Sequence, residues 1–515
     1  MPDVPPLWQL AGRSPADPAV SDPVRSETWS ELDERTNAVG HGVESMGLEP
    51  GQHVTLVAGN RVEFVDVVLG VQRAGMVVSP LKTSWTPAEI AGVLADAGTR
   101  LVATDTDNGR RAAAEPAVPV IDLGQGFERW LAAQDRSPLP ADRRGWRMSY
   151  TSGTTGRPKG VVHADSGELP FSAAFARSAV WARAARMPAD GPHLVASHLF
   201  HGAPLTFGLS ALANGSPLVV LGRWDPSWCL HRLGDGVAST AMVPTMFRQL
   251  LGLPADERAS FDAPALGTVL HGGEPCPPDL KARMVEWWGP VFVEYFGFSE
   301  GGMTLATTEE WERRPGTVGH ALPHQEILVL DDEARPLPPR SEGLVYFRSL
   351  EGQRFRYHND PARTAGAYGP DGAFTAGDIG WLDEDGYLFI SGRQADVIVS
   401  AGVNVYPAEV EAVISAIPAV ADVAVVGGPH PERGEEAVAF VVLQPGADPD
   451  PSRTLIATAC EGALAGYKRP RRILIRPALP RDATGKLLRN PLRDELWGGR
   501  SGFAAPEAGV PRRPW

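Results

Sequence analysis

Lysine is the residue this chain all but does without. Lys82, Lys159, Lys281, Lys468 and Lys486 are the only five among 48 basic residues, and arginine supplies the rest. Arginine serves for generic positive charge, so a retained lysine is informative: its compact, flexible ammonium suits phosphate and reacting oxygens. Cysteine is also sparse. Cys229, Cys276 and Cys460 stand far apart, giving neither a disulfide framework nor a zinc-ligand spacing, and a reducing, cytoplasmic setting is expected. Cys276 reads as a core thiol rather than a nucleophile. Excess positive charge is missing too. A formal charge of −14 and a pI near 5.4 argue against a general nucleic-acid binder and against a binder of anionic membranes. Long hydrophobic runs are absent. The most apolar region, Val62 to Leu81, is interrupted by Glu63, Asp66 and Arg73; it is too polar for a membrane span and reads as a buried helix followed by a strand. Met1-Pro-Asp-Val-Pro-Pro lacks a basic segment followed by an apolar one, so no secretion leader is expected.

What the chain does have is a loop built for anions. Tyr150 to Gly160 reads Tyr-Thr-Ser-Gly-Thr-Thr-Gly-Arg-Pro-Lys-Gly. Gly153, Gly156 and Gly160 let the backbone approach an anion closely. Ser152, Thr154 and Thr155 offer hydroxyl donors, and Lys159 adds a mobile charge. Gly160 follows Lys159 where the common G-x-x-x-x-G-K-[ST] phosphate loop has Ser or Thr for magnesium, so this is a different loop.

The 515 residues suggest roughly three or four domain-sized units. Residues 28–102 alternate helical and strand patterns. Thr28 or Ser30 caps a helix, His53 to Ala58 is strand-like, and Thr86-Pro87 opens another helix, which together predict parallel sheet covered by helices. Residues 104–145 read as loop-rich. From Glu342 to Ile390 short strands take over, with turns at Asp371-Gly372 and Asp385-Gly386. A smaller α/β unit follows, with helices at Pro407–Ile417 and Arg453–Gly462 and strands at Asp422–Val426 and Ala437–Leu443. The predicted class is α/β. It has a large N-terminal domain (1–391) of several subdomains with parallel and mixed sheets and a β-rich part, a junction at 392–396, and a small α+β C-terminal domain (397–497). A tail without fixed structure is expected at 498–515, which is rich in Gly, Pro and Arg.

Five segments occur in order: the loop at 150–160, Phe296-Gly-Phe-Ser-Glu300, Thr375-Ala-Gly-Asp378, Gly392-Arg-Gln-Ala-Asp396 and Pro480-Arg-Asp-Ala-Thr-Gly-Lys-Leu-Leu-Arg489. Together they resemble the adenylate-forming superfamily of acyl-CoA synthetases, adenylation domains and luciferases, over about residues 26–493. Glu309 to Gly319 and Tyr357 to Thr364 look like its fatty-acid and steroid or bile-acid CoA ligase branch. The resemblance implies ATP, Mg2+ and coenzyme A as cofactors. It also implies a mobile C-terminal domain that rotates between adenylation and thioester formation.

By the same resemblance Glu300 is the magnesium ligand, with Thr154 beside it, and Lys486 reaches the carboxylate and α-phosphate oxygens. Thr151 to Gly156 and Lys159 handle phosphate, and Ser299 stands where the family usually has Thr. Gly272, Gly273, Glu274 and Pro275 form the adenine loop. Tyr295, Phe296 and Gly297 follow, Phe296 replacing the usual tyrosine. Asp378 binds ribose, and Arg393 contacts ribose or phosphate. His201 lies at the junction of acyl and CoA sites, as a catalytic or orienting group. Ser400, Ala401 and Gly402 line the thiol tunnel, with Tyr467, Arg469 and Arg471 for the CoA nucleotide. The acyl pocket takes Gly202, Ala203, Phe207, Val243, Pro244, Gly297, Gly301, Gly302 and Met303, small residues that leave room for a bulky apolar acid. No arginine or lysine among these segments offers a partner to a second carboxylate.

Ala395 departs from the family, whose hinge residue is usually Asp or Lys. Alanine cannot exchange charged partners between two domain orientations. An enzyme biased to the thioester-forming half-reaction, fed with acyl-adenylate by an upstream adenylating enzyme, is therefore one expectation. The alternatives are a free-standing adenylation enzyme that loads a carrier protein, a luciferase-like oxygenase, and a non-catalytic acyl-adenylate or nucleotide binder. Retention of Glu300 and Lys486 argues against the last. The arginine-rich, actinomycete-like composition associates the chain with natural-product biosynthesis, and a monomer or homodimer is expected.

Overall fold

A computed structural model describes residues 5–114, 117–143, 145–151, 158–163, 168–400, 403–430, 434–481 and 487–498. The local signals of the N-terminal region fold as their chemistry dictates. Thr28 caps the helix Trp29–Ser45 and Thr86 caps Pro87–Ala97. Each forms a reciprocal capping box, with Glu31 and Glu89 respectively. The helix Val62–Arg73 is apolar on nearly every side and is buried. It leads into the strand Val77–Pro80 of a parallel sheet ordered 120–122, 99–104, 53–57, 77–80, 146–147.

The expectation of a loop-rich 104–145 is corrected. Helices form at Asp107–Ala114 and Phe127–Ala132, with the strand Val120–Asp122 between them. Ala112 and Ala113 pack on Ile90, Val93 and Leu94. Phe127 and Leu131 enter the main core, with Trp130 against its edge. Tertiary burial of a few small or aromatic residues overrides a Pro-, Asp- and Arg-rich composition.

The central element is a 13-stranded mixed sheet. Its middle is parallel, running through Leu218–Val220, His193–Val195, Ser239–Met242, Thr268–Gly272 and Phe292–Phe298. It then turns antiparallel through Gly301–Thr307 and Thr317–Ala321 into the β-rich strands between Gln325 and Arg393. A three-stranded antiparallel sheet, 355–357, 159–163 and 149–151, stands beside it.

Beyond Asp396 lies a separate five-stranded sheet formed by 398–400, 403–405, 420–430, 434–443 and 472–475. It has its own apolar clusters, one around Val410, Ile414, Val441 and Ile456 and another around Val438, Phe440 and Leu492. The architecture is the mixed α/β one expected. The paired C-terminal strands 420–430 and 434–443 are longer than the sequence pattern suggested, because their ladder continues at both ends, whereas the helix Pro407–Ser415 stops two residues earlier than expected. Among the described residues no helix is long and apolar enough to cross a membrane.

Candidate active site

The loop at 150–160 joins two strands of a hairpin. Tyr150 pairs with Gly160 and Thr151 with Lys159, so the flanks are fixed by a ladder while the residues between them are left to the loop. Ser152, Gly153, Thr154, Thr155 and Gly156 lie outside the described residues, as do Ala401, Gly402, Lys486 and the tail beyond 498. Tyr150 is anchored by donating its hydroxyl proton to Asp96 at 2.6 Å.

The third strand of this small sheet supplies a residue that sequence reasoning missed. Tyr357 pairs with Val161, two positions from Lys159 and on the same face, so the two side chains are diagonal neighbours. Lys159 Nζ donates to Glu300 Oε1 at 2.7 Å and to the Tyr357 hydroxyl at 2.9 Å, and that hydroxyl donates to Glu300 Oε1 at 2.7 Å. Glu300 sits in the tight connection between Phe292–Phe298 and Gly301–Thr307, where Gly301 and Gly302 take φ of +118° and +77°. Its carboxylate is 5% exposed. Burial alone would raise its pKa, but the Lys159 charge and the two hydrogen bonds outweigh it and hold the group below the ordinary 4.5. Burial, and next the Glu300 charge, push the Tyr357 hydroxyl far up, so it stays a proton donor.

The adenine-loop segment leaves the strand Thr268–Gly272. A Cβ on Gly272 would stand 2.2 Å from the Tyr295 carbonyl oxygen, and Gly273 has φ +79°. Both glycines are therefore required by close approach and by backbone sign. Glu274 accepts the backbone N–H of Thr245. Beneath this loop Lys281, fully buried, donates to Glu294 at 2.7 Å and lies 4.9 Å from the Trp311 ring centroid. His271, also buried, is held far below its usual pKa by burial and by Lys281, and is neutral. Burial also drives the Cys276 thiol well up, which removes it as a nucleophile.

Strand alternation separates two neighbours. Tyr295 turns into the main core against Phe207, ring centroids 5.0 Å apart, while Phe296 faces the other way towards Phe347 and Phe298. Asp378 and Arg393 are cross-strand partners, joined at 3.1 Å, with the carboxylate 5% and the guanidinium 50% exposed. Gly297 is exposed and Ser299 half-buried beside Glu300.

The remaining expected residues differ in how much surface they keep. Phe207 is fully buried. Gly302 is buried and Gly301 half-buried, admitting the Phe347 and Phe374 rings, within 2.6 Å and 3.1 Å of where a Cβ would stand, so these glycines serve the joint to the β-rich part. Gly202, Ala203, Val243 and Met303 keep part of their surface, whereas Pro244 is buried. His201 heads the helix Gly202–Ala213, its ring 4.7 Å from that of Phe200. Arg469 donates to the carbonyls of Leu464 and Glu461 at the end of the helix Pro449–Ala463, so its guanidinium is engaged in capping. Lys468 pairs with Glu409 at 2.6 Å, Ser400 is buried, and Tyr467 and Arg471 are exposed. Ala395 lies in the exposed turn Gln394–Asp396, and its carbonyl accepts from Arg493 at 3.1 Å. Arg481, five residues before Lys486 in the sequence, binds Asp422 at 2.7 Å and reaches Thr245 at 3.2 Å and Glu274 at 3.6 Å. The C-terminal part thus touches the adenine loop directly.

The donor set fits the cofactors the motifs imply. One hard, ionised, nearly buried carboxylate beside a phosphate-type loop suits a magnesium ion whose other ligands come from phosphate and water. Among the described residues no cluster of three or more His, Cys, Asp or Glu could hold a metal alone.

Comparison with known proteins agrees with this geometry. Residues 7–351 match the family described as AMP-binding enzyme, and residues 409–486 its C-terminal domain. The chain is 32% identical to the fatty acid–[acyl-carrier-protein] ligase ScoC of Streptomyces coeruleorubidus, over 95% of each chain. It is 31% identical to the long-chain-fatty-acid–CoA ligase FadD13 of Mycobacterium tuberculosis, over 95% of this chain and 98% of the other. ATP-bound MatB from Rhodopseudomonas palustris superposes with a TM-score of 0.84 at 27% identity, covering 95% of this chain and 98% of that one. The chain belongs to the AMP-binding family of adenylate-forming enzymes, on its acyl-CoA synthetase branch, whose members work with ATP, Mg2+ and coenzyme A.

Proposed function

We propose that this chain joins a bulky, largely apolar carboxylic acid (fatty, terpenoid or steroid-like) to coenzyme A through an acyl-adenylate. The observation that carries the reading is the cluster of Lys159, Glu300 and Tyr357 on one carboxylate oxygen, beside the loop at 152–157. A carboxylate and ATP are both anionic, so their approach needs positive charge between them. Bound Mg2+ would neutralise phosphate charge, with Glu300 as its protein ligand and Thr154 beside it. Lys159 would move from Glu300 to the phosphates, and Tyr357 would keep the carboxylate ionised and aimed. Asp378, braced by Arg393, would accept from the ribose hydroxyls. The loop Gly272–Pro275 and Phe296 would flank adenine, and Ser299 would bond the α-phosphate. Lys486 would bridge carboxylate and α-phosphate oxygens. His201, at the head of the helix Gly202–Ala213, would orient the acyl group for the incoming thiol. The exposed Tyr467 and Arg471 would meet the CoA nucleotide.

The division at 392–396 would let the C-terminal part rotate between the two steps. Because Ala395 has no charge to exchange, the balance of half-reactions would rest on other contacts and could favour thioester formation from adenylate supplied upstream. One comparison favours a second reading: ScoC, the relative at 32% identity, is named as a carrier-protein ligase, so a phosphopantetheinyl protein is the alternative acceptor.

Both are tested by mass spectrometry in parallel sets. One set holds free acid, ATP, Mg2+ and CoA; the other holds the matching synthetic acyl-adenylate and CoA; each is repeated with a carrier protein. Thioester from both sets supports a complete ligase, and thioester from the adenylate set alone supports the biased enzyme. Product on the carrier protein but not on CoA moves the reading to the alternative. No product in any set, with nucleotide binding retained and unchanged in Lys486→Ala, would support a non-catalytic binder and overturn the proposal.

A further inference from the structure

The helix Gly202–Ala213 that follows His201 has no exposed residue, yet Gly202, Ala203, Thr206 and Leu209 all keep part of their surface while Pro204, Leu205, Phe207 and Gly208 are buried. Spacings of three and four put the accessible residues on one helix face. A Cβ added at Gly202 would meet nothing within 4 Å. That face is part-buried: Ala203 and Leu209 lean on the main core, while Gly202 and Thr206 keep surface beside them.

Arg147 reaches this face from the opposite side. It lies on the edge strand Trp146–Arg147, paired with Val78. Trp146 and Met148 pack together beside Val77 and Val162, so alternation turns Arg147 to the other face. Its Nη2 donates to Thr206 Oγ1 at 2.9 Å, the one polar contact of its side chain among the described residues, with no carboxylate in reach. Arg147 is half-buried rather than sealed. Burial pushes the guanidinium down to about 10, with no anion to offset it. A recessed arginine left with one hydroxyl partner and open donors is costly unless something else supplies the acceptors. Thr151, four residues on, is roughly 13 Å away along an extended chain, so the nucleotide phosphates are a poor candidate. Thr206 stands about 6 Å along the helix axis from Gly202, the first helical residue after His201.

Resting on the ligase reading, we propose that Arg147 is a specificity-determining residue of the acyl pocket that binds an acceptor oxygen, carboxylate or ketone, carried by the acid at a distance from its reacting carboxyl group. The pocket is then apolar along its walls and charged at one point. Arg147 stands outside the segments in which the sequence offered no basic partner for a second carboxylate.

The test measures pyrophosphate release and acyl-adenylate formation for hexanoic, octanoic and decanoic acids, each against its keto and its dicarboxylic counterpart. One member of each matched set should be preferred by the wild type by about tenfold or more, expressed in KM for the acid; which counterpart wins distinguishes ketone from carboxylate. Arg147→Leu should erase the preference and leave the plain acid at its wild-type rate, while Arg147→Lys keeps part of it. Thr206→Glu, which leaves the arginine in place and gives it a built-in carboxylate, should erase the preference too. A parallel fall for all acids in both Arg147→Leu and Thr206→Glu, or a preference that survives them, overturns the proposal alone. A wild type that activates no acid of either kind overturns the ligase reading and this proposal with it.

Discussion

Arg481→Ala should separate the two half-reactions. In the structure this guanidinium is 20% exposed, binds Asp422 of the C-terminal sheet, and reaches across to Thr245 at 3.2 Å and Glu274 at 3.6 Å. Glu274 is 10% exposed and belongs to the adenine-loop segment. Lys486 precedes Leu487, which forms an isolated antiparallel bridge with Arg481, so this contact fixes one flank of the segment that carries Lys486. A part-buried hydrogen bond is worth about 1 kcal/mol net. An ion pair at that separation, discounted for screening, adds at most about 1 kcal/mol more. The loss is then about 1–2 kcal/mol, or a factor of roughly 5–30 in the population of the docked posture. If Lys486 serves adenylation, ATP–pyrophosphate exchange should slow by about that factor. Thioester formation from synthetic acyl-adenylate and CoA should stay unchanged or rise. Thr245→Val, which leaves Arg481 and Asp422 paired, should give a smaller change of the same sign, excluding a mere loosening of the C-terminal sheet. Equal slowing of both half-reactions, or none of either, would refute the reasoning. A split would mean that Arg481 carries an orientational preference to which the neutral Ala395 cannot contribute.

The remaining expectations follow from three buried contacts. Tyr357→Phe removes one hydrogen bond to an ionised, 5% exposed carboxylate. It should cost about 1.5–3 kcal/mol near neutral pH, read by urea unfolding. Because Glu300 is held below 4.5 in the folded chain, its stabilisation is complete above the unfolded value and lost as pH falls through the folded one. The gap between mutant and wild type should therefore close in acid, and a gap that persists there would contradict the assignment. Lys281→Met strands Glu294 in the core, where burial already pushes its pKa up despite Lys281, and should destabilise by about 3–5 kcal/mol. Lys281→Met with Glu294→Leu should recover most of that loss in the same unfolding assay. Gly302→Ala combines φ of +77° with a Cβ 2.6 Å from the Phe347 ring, so little folded protein is expected on expression; normal yield and unfolding midpoint would argue that the joint yields.

The parts of this fold that were legible in the sequence are those fixed by neighbours in the chain. Thr28 with Glu31 and Thr86 with Glu89 declare their helices three residues ahead. The anion loop shows in its glycines and hydroxyls, though the strand pairing that flanks it does not. Illegible were the contacts set by strand register and by packing of distant segments. Tyr357 meets Lys159 only because it pairs with Val161, almost two hundred residues away in the chain. Arg147 meets Thr206 only because one sheet edge faces one helix, and no local pattern marks either. Composition did leave a usable trace in the lysines, but its meaning divides once they are placed. Lys159 lies on Glu300 at the mouth of the loop, whereas Lys281 is sealed against Glu294, His271 and Trp311. A guanidinium is wider and carries five donors to satisfy, so the compact ammonium is the cation that fits such a closed space. Two of the five lysines therefore stand where a compact ammonium suits the space. Chemistry on a phosphate is one such place, and the support beneath the adenine loop is another.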